Sequence, residues 1–178
     1  MAILESESNA SDKIRWHSMS TTTMTKFFAL IVVSIGLASA QVYAAEPVNT
    51  LEKSGLFNFE PSGVAIRGAD TVAYFTVGKF VRGSDAYTAE WRGATWRFAS
   101  QNHLDLFRAS PEDYAPQYGG YCAYGVAQNY LVKIEPENWT IVDGKLYLNF
   151  NDSVQSTWEQ DIQGYIQQAN ALFPGLTN

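Results

Sequence analysis

The sequence predicts a small single domain of the α+β class, and three observations predict it. Residues 86–99 and 139–150 each alternate apolar and polar side chains about a turn dipeptide, Arg92-Gly93 in the first and Asp143-Gly144 in the second, which reads as two β-hairpins. Between them, Ser100 and Ser110-Pro111 are helix-start signals for short central helices. Downstream, Val154, Trp158, Ile162, Tyr165, Ala169 and Leu172 recur at spacings of three and four, the period of a long amphipathic C-terminal helix. Hairpins interleaved with helices, without strand–helix–strand units, define the class.

In chain order, Lys26 followed by the apolar run 27–37 fits the charged and apolar regions of a secretory signal. Small-residue cleavage sites follow at Ala38-Ser39-Ala40 or Val42-Tyr43-Ala44. The run is shorter than the roughly 20 apolar residues that cross a bilayer. Residues 1–44 therefore read as a leader, the destination as periplasmic or secreted, with no membrane span after cleavage. Residues 45–62 read as an extended arm with Leu56, Phe57 and Phe59 as docking points, and 63–178 as the folded domain.

Within the domain, 72–76 predicts a short strand ended by Gly78. In the first hairpin, Thr88, Glu90, Thr95 and Arg97 face away from Ala89, Trp91, Ala94, Trp96 and Phe98. Ser100 caps a helix over 101–109 that buries Leu104 and Phe107. The next turn starts at Ser110-Pro111 with acids that complement its dipole, and ends before Gly119-Gly120. The apolar stretch 121–128 fits a short helix or an irregular segment. Asn151 or Asp152 caps the last helix, and Pro174-Gly175 stops it.

The leader's acids (Glu5, Glu7, Asp12) balance its bases (Lys13, Arg15, Lys26), so the net charge of −6 belongs to the mature chain. An acidic domain without a basic stripe excludes nucleic acid and anionic membrane surfaces as partners. The three methionines, Met1, Met19 and Met24, all precede the domain, which argues against a thioether copper carrier. The one cysteine, Cys122, cannot form an internal disulfide. In an exported chain it is sealed, joins two chains, binds a metal or reacts.

Four pieces together carry a resemblance: GADTVAYFTVGK, the hairpin running into ATWRFAS, SPEDYAPQYGGYCAYGVA, and VDGKLYLNFN before the last helix. Over about residues 63–173 the chain resembles the YHS-domain family in its exported bacterial branch, whose wider relatives are treble-clef-like metal-binding modules. The metal-type members carry a D-P-V-C start and a later F-C-S-x-x-C pattern. Against that pattern this chain has Asp70-Thr71-Val72-Ala73 and Phe98-Ala99-Ser100-Gln101-Asn102-His103. Two thiol positions are alanine and one is histidine, too few soft donors for the usual four-ligand structural zinc site.

Soft-ligand or acid–base chemistry in the mature chain must then draw on Cys122 and His103, since the other histidine, His17, lies in the leader. If the helix start at His103 faces the Gly119-Gly120 turn, a thiolate and an imidazole converge. That pair suits copper(I), and suits zinc only with water or the Asp70 carboxylate completing the set. Pairing of two chains as a homodimer would pool two such sets. The expected function is thus an exported binding module for a soft metal ion (copper or zinc) or a small ligand. The alternatives are a metal-free interaction domain of the envelope and a thiol-dependent enzyme, for which no third, orienting residue is evident.

Overall fold

The structure is a computed structural model, and it describes residues 46–54 and 58–177. The predicted leader, and Leu56 and Phe57 of the arm, lie outside the described residues.

The predicted extended arm is instead a hairpin with a buried root. Strand β1 (Leu51–Ser54) pairs antiparallel with β2 (Asn58–Pro61), Leu51 opposite Pro61. Just before β1, Val48, Asn49 and Thr50 are buried. The cause is Asn49, which reaches two distant turns. Its backbone N–H donates to the Gly119 carbonyl at 2.8 Å, and its carbonyl accepts from Ile66 N–H at 2.9 Å. Its side-chain Nδ2 donates to the Gly120 carbonyl at 2.9 Å. Both turns contain left-handed residues, Ile66 and Arg67 (φ 51° and 53°) in one, Tyr118 and Gly119 (φ 55° and 62°) in the other. That conformation is costly for a β-branched residue such as Ile66 and persists only where its surroundings fix it. Gly120 is required there as well, because a Cβ on it would stand 2.1 Å from Ile66 Cδ1.

The predicted strand at 72–76 is a helix, α1 (Thr71–Thr76). Asp70 decides this: its carboxylate accepts from Val72 N–H and Ala73 N–H, satisfying donors that open a helix. The apolar run suggested a strand because a short, fully buried segment looks alike in either state. Strand β3 (Ser84–Trp91) and β4 (Ala94–Phe98) form the first predicted hairpin, with a register shift between Ser84 and Thr88. Helix α2 (Gln101–Ala109) starts at Ser100 as predicted, the serine oxygen accepting from His103 N–H. It is followed by α3 (Pro111–Tyr114) and, after the Gln117–Gly120 turn, by α4 (Ala123–Ala127). Strands β5 (Trp139–Val142) and β6 (Lys145–Leu148) make the second hairpin, and Asp143 and Gly144 at its turn both have positive φ.

The C-terminal helix is not continuous. Helix α5 (Asp152–Trp158), capped by Asn151, gives way at Glu159–Asp161 to α6 (Ile162–Leu176), which Asp161 caps anew through Gly164 N–H. Pro174 lies inside α6 rather than ending it.

The three hairpins are separate two-stranded sheets, and two apolar clusters bind the elements together. In one, Phe107 of α2 packs on Trp96 and Phe98 of β4, with ring centroids 4.9 Å apart in each pair. In the other, Trp158 lies against Tyr147, with Tyr118, Val126 and Ala169. Strand β6 joins them by its alternation, giving Leu146 and Leu148 to the first cluster and Tyr147 to the second. Among the described residues no helix is long and apolar enough to cross a membrane.

Candidate functional site

Two of the three predicted site residues meet. Asp70 is fully buried, between the Ala65–Gly68 turn and α1. Its Oδ1 accepts from Val72 and Ala73 N–H at 3.1 and 3.3 Å. Its Oδ2 accepts from Ala99 N–H at 2.8 Å and lies 2.6 Å from His103 Nδ1. A carboxylate offers about four lone-pair sites, and these contacts take all of them. Being acceptor-only, Asp70 fixes the ring so that Nδ1–H donates to it and Nε2 points outward. Nε2 faces Thr76 Oγ1 at 3.3 Å, and that hydroxyl also reaches the Val72 carbonyl at 3.0 Å. The side chain of His103 is 14% exposed. The cluster thus clips together the start of α1, the end of β4 and the start of α2. Positions 73 and 99, where the metal-type pattern has thiols, each send a backbone N–H to the Asp70 carboxylate instead.

Cys122 belongs to a different network. It caps α4, its sulfur accepting from Gly125 N–H at 3.4 Å, and it reaches Asn149 Oδ1 at 3.7 Å. Asn149 is itself fully buried, and the same Oδ1 accepts from Tyr124 N–H. Burial pushes the thiol up from its ordinary value, and the backbone N–H groups of Gly125, Phe150 and Tyr124 only partly offset this. Cys122 lines a cleft of about 230 Å³. Tyr124 of α4, Tyr130, Val132, Phe150 and Val154 of α5 form its walls. None of these lining side chains carries a formal charge. Tyr124 is braced from behind by Tyr165 of α6, centroids 5.1 Å apart, and Tyr130 is 48% exposed at the rim. A Cβ on Gly125 would stand 2.9 Å from Val132 Cγ2 and 3.5 Å from Tyr130 Cε2, crowding two of those walls.

A larger cleft of about 370 Å³ lies among Pro47, Trp91, Pro116 and Phe173. It holds none of the predicted site residues, and its charged residues, Arg92 and Glu112, are paired with each other at 3.0 Å. It is therefore the less informative of the two, despite its size.

No protein-family model matches this chain, and no curated protein or solved structure matches it either.

The functional reading must come from the geometry. Asp70 and His103 are brought together, while the hydrogen-bond partners of Cys122 are Asn149 and Gly125. Among the described residues no three His, Cys, Asp or Glu side chains gather into a group able to hold a metal ion. The donors at the Asp70 corner are one imidazole with a nitrogen already given to Asp70, and a saturated carboxylate. That set does not fit a four-ligand zinc ion. An orienting residue for His103 does exist, Asp70, but the outer nitrogen faces the Thr76 hydroxyl rather than the thiol. Sequence reasoning missed Asn149 and the part that Val132, Phe150 and Val154 play as cleft walls. These positions are scattered along the chain, and Gly125 within an apolar helix was the one local hint that something packs close.

Proposed function

We propose that this chain is an exported binding module of the YHS kind, and that it holds a small organic ligand in the cleft over Cys122. The observation that carries this reading is the cleft itself. It is a partly open concavity of about 230 Å³ lined by apolar and aromatic side chains, and the buried Cys122 is among them. Small-ligand sites are of this kind, concave and mostly apolar with few polar groups. Of the two branches expected from the sequence, a soft metal ion requires a thiolate. The burial that raises Cys122 makes that thiolate harder to form.

The YHS assignment draws support from the way positions 70, 73, 99 and 103 converge in space, as a shared ligand corner would require. With that corner occupied by Asp70 hydrogen bonds, the chain keeps such a fold without the ion. The same convergence favours a second reading, a metal-free scaffold of the envelope with no ligand at all.

Native mass spectrometry of the protein isolated from an exporting host separates these. The expected result is a co-purifying organic mass that is lost in Val154→Phe, which fills the cleft. A stoichiometric metal that disappears in Cys122→Ala would replace this reading with the metal branch. Neither mass nor metal in any sample would favour the scaffold.

A further inference from the structure

The charge and size of the Cys122 cleft specify a ligand class, and the inference rests on the cleft reading just given. We infer that the cleft binds an uncharged molecule the size of one or two fused aromatic rings, reversibly, and discriminates against both anionic and cationic analogues. Size comes first. An engineered apolar cavity of about 150 Å³ takes up benzene, so about 230 Å³ leaves room for a bicyclic ring or a ring with a short substituent. Shape agrees, since the tyrosine and phenylalanine walls Tyr124, Tyr130 and Phe150 offer ring faces and edges for aromatic contact.

Charge decides the class. A charged group placed among these side chains loses its hydration and finds no opposite charge on the walls, a large penalty. One cation stands behind a wall. Lys133 Nζ lies 4.5 Å from the Phe150 ring centroid and 4.9 Å from that of Phe59, and it is ion-paired with Glu135. Glu135 also pairs with Arg67, so it offsets Lys133 only in part, but Lys133 is not among the residues that line the cleft. The polar atoms on offer are the sulfhydryl and the hydroxyls of Tyr124 and Tyr130, all neutral. The buried thiol keeps its proton at neutral pH and touches the ligand as a polarizable apolar surface. No bond to the sulfur forms.

The test uses one ring system in three charge states: indole, indole-3-acetate and tryptamine. Each is titrated into the mature chain while the Gly125 amide and the Val132 and Val154 methyl resonances are followed. Indole is expected to shift all of them, with an affinity roughly tenfold or more above both charged analogues. Binding is expected to be lost in Val154→Phe and in Val132→Phe, each first checked for a native-like spectrum. A charged analogue that shifts the same resonances as tightly as indole overturns the inference on ligand class and leaves the cleft as a site. If none of the three compounds shifts them, both the inference and the cleft reading fall. Indole binding that survives in both filled variants also overturns the inference, because it places the contact elsewhere.

Discussion

The Asp70 corner and the Cys122 cleft are built on opposite principles. At the corner, each lone pair of a buried carboxylate is matched by an N–H group from α1, from Ala99 or from His103. At the cleft, a buried sulfur makes only long, weak contacts, and its residue lines an open space among aromatic rings. Titratable side chains that converge invite a catalytic or metal reading, yet saturation leaves them little to give a ligand. The difference teaches that in this molecule fully partnered polarity holds the structure, and spare volume lies where the polar groups are few.

The sharpest way to break the comparison is Asp70→Ala. Removing one partner of a buried, hydrogen-bonded pair costs about 3–5 kcal/mol, and here the cap of α1 goes with it. Urea unfolding should show a loss in that range. A loss below about 1 kcal/mol, the worth of an exposed ion pair, would mean that the corner is not structural. His103→Ala should cost less, about 1–3 kcal/mol, because three backbone N–H groups still hold the carboxylate.

On the other side of the comparison, Cys122→Ala removes a small buried group and should cost about 1–2 kcal/mol. It should also change the pH profile. The folded thiol is raised above its ordinary value by burial, so the unfolded chain gives up its proton first. The stability linked to Cys122 is present below about pH 8.5 and is lost as pH rises through the folded value. Thermal unfolding between neutral and alkaline pH should show this decline in the wild type, and a flatter profile in Cys122→Ala. The same proton makes alkylation by iodoacetamide sluggish at neutral pH, and rapid labelling there would contradict a thiol raised by burial.

The smallest effect is expected at Glu135. Burial disfavours its charge, but the Lys133 hydrogen bond and the charges of Arg67 and Lys133 outweigh this and lower its pKa. A lowered carboxyl supplies stability above its ordinary value of about 4.3 and loses it as pH falls through the folded value. The Glu135 side chain is 36% exposed, so solvent screening holds the contribution to about 0–1 kcal/mol. Glu135→Gln should therefore differ slightly from wild type at neutral pH and converge with it in acid, by the same unfolding measurement.

The α+β class, both inner hairpins, the Ser100 cap and the core roles of Leu104 and Phe107 were legible in the sequence, because turn dipeptides, caps and periodicity are local signals. The helix at Thr71–Thr76 was not. What selects it is the Asp70 cap, a local signal overshadowed by a short apolar run that reads alike in helix and strand. The buried root of the first hairpin was hidden for a different reason, since Asn49 acts on residues some seventy positions away. At the site, Cys122, His103 and Asp70 were picked out by residue type alone. Their sorting into a saturated clip and an open cleft depends on which backbone N–H groups and ring faces surround them, and single-chain spacing carries no trace of that.

The fastening of Asn49 to Gly119 and Gly120, with Tyr121 donating to the Glu46 carbonyl, has a consequence for the order of events. The earliest part of this domain to emerge during synthesis finds its partners only after most of the domain has followed. Closing so long a loop carries an entropic cost before any contact rewards it. Residues 46–50 should be among the last to become protected from hydrogen exchange as the molecule folds.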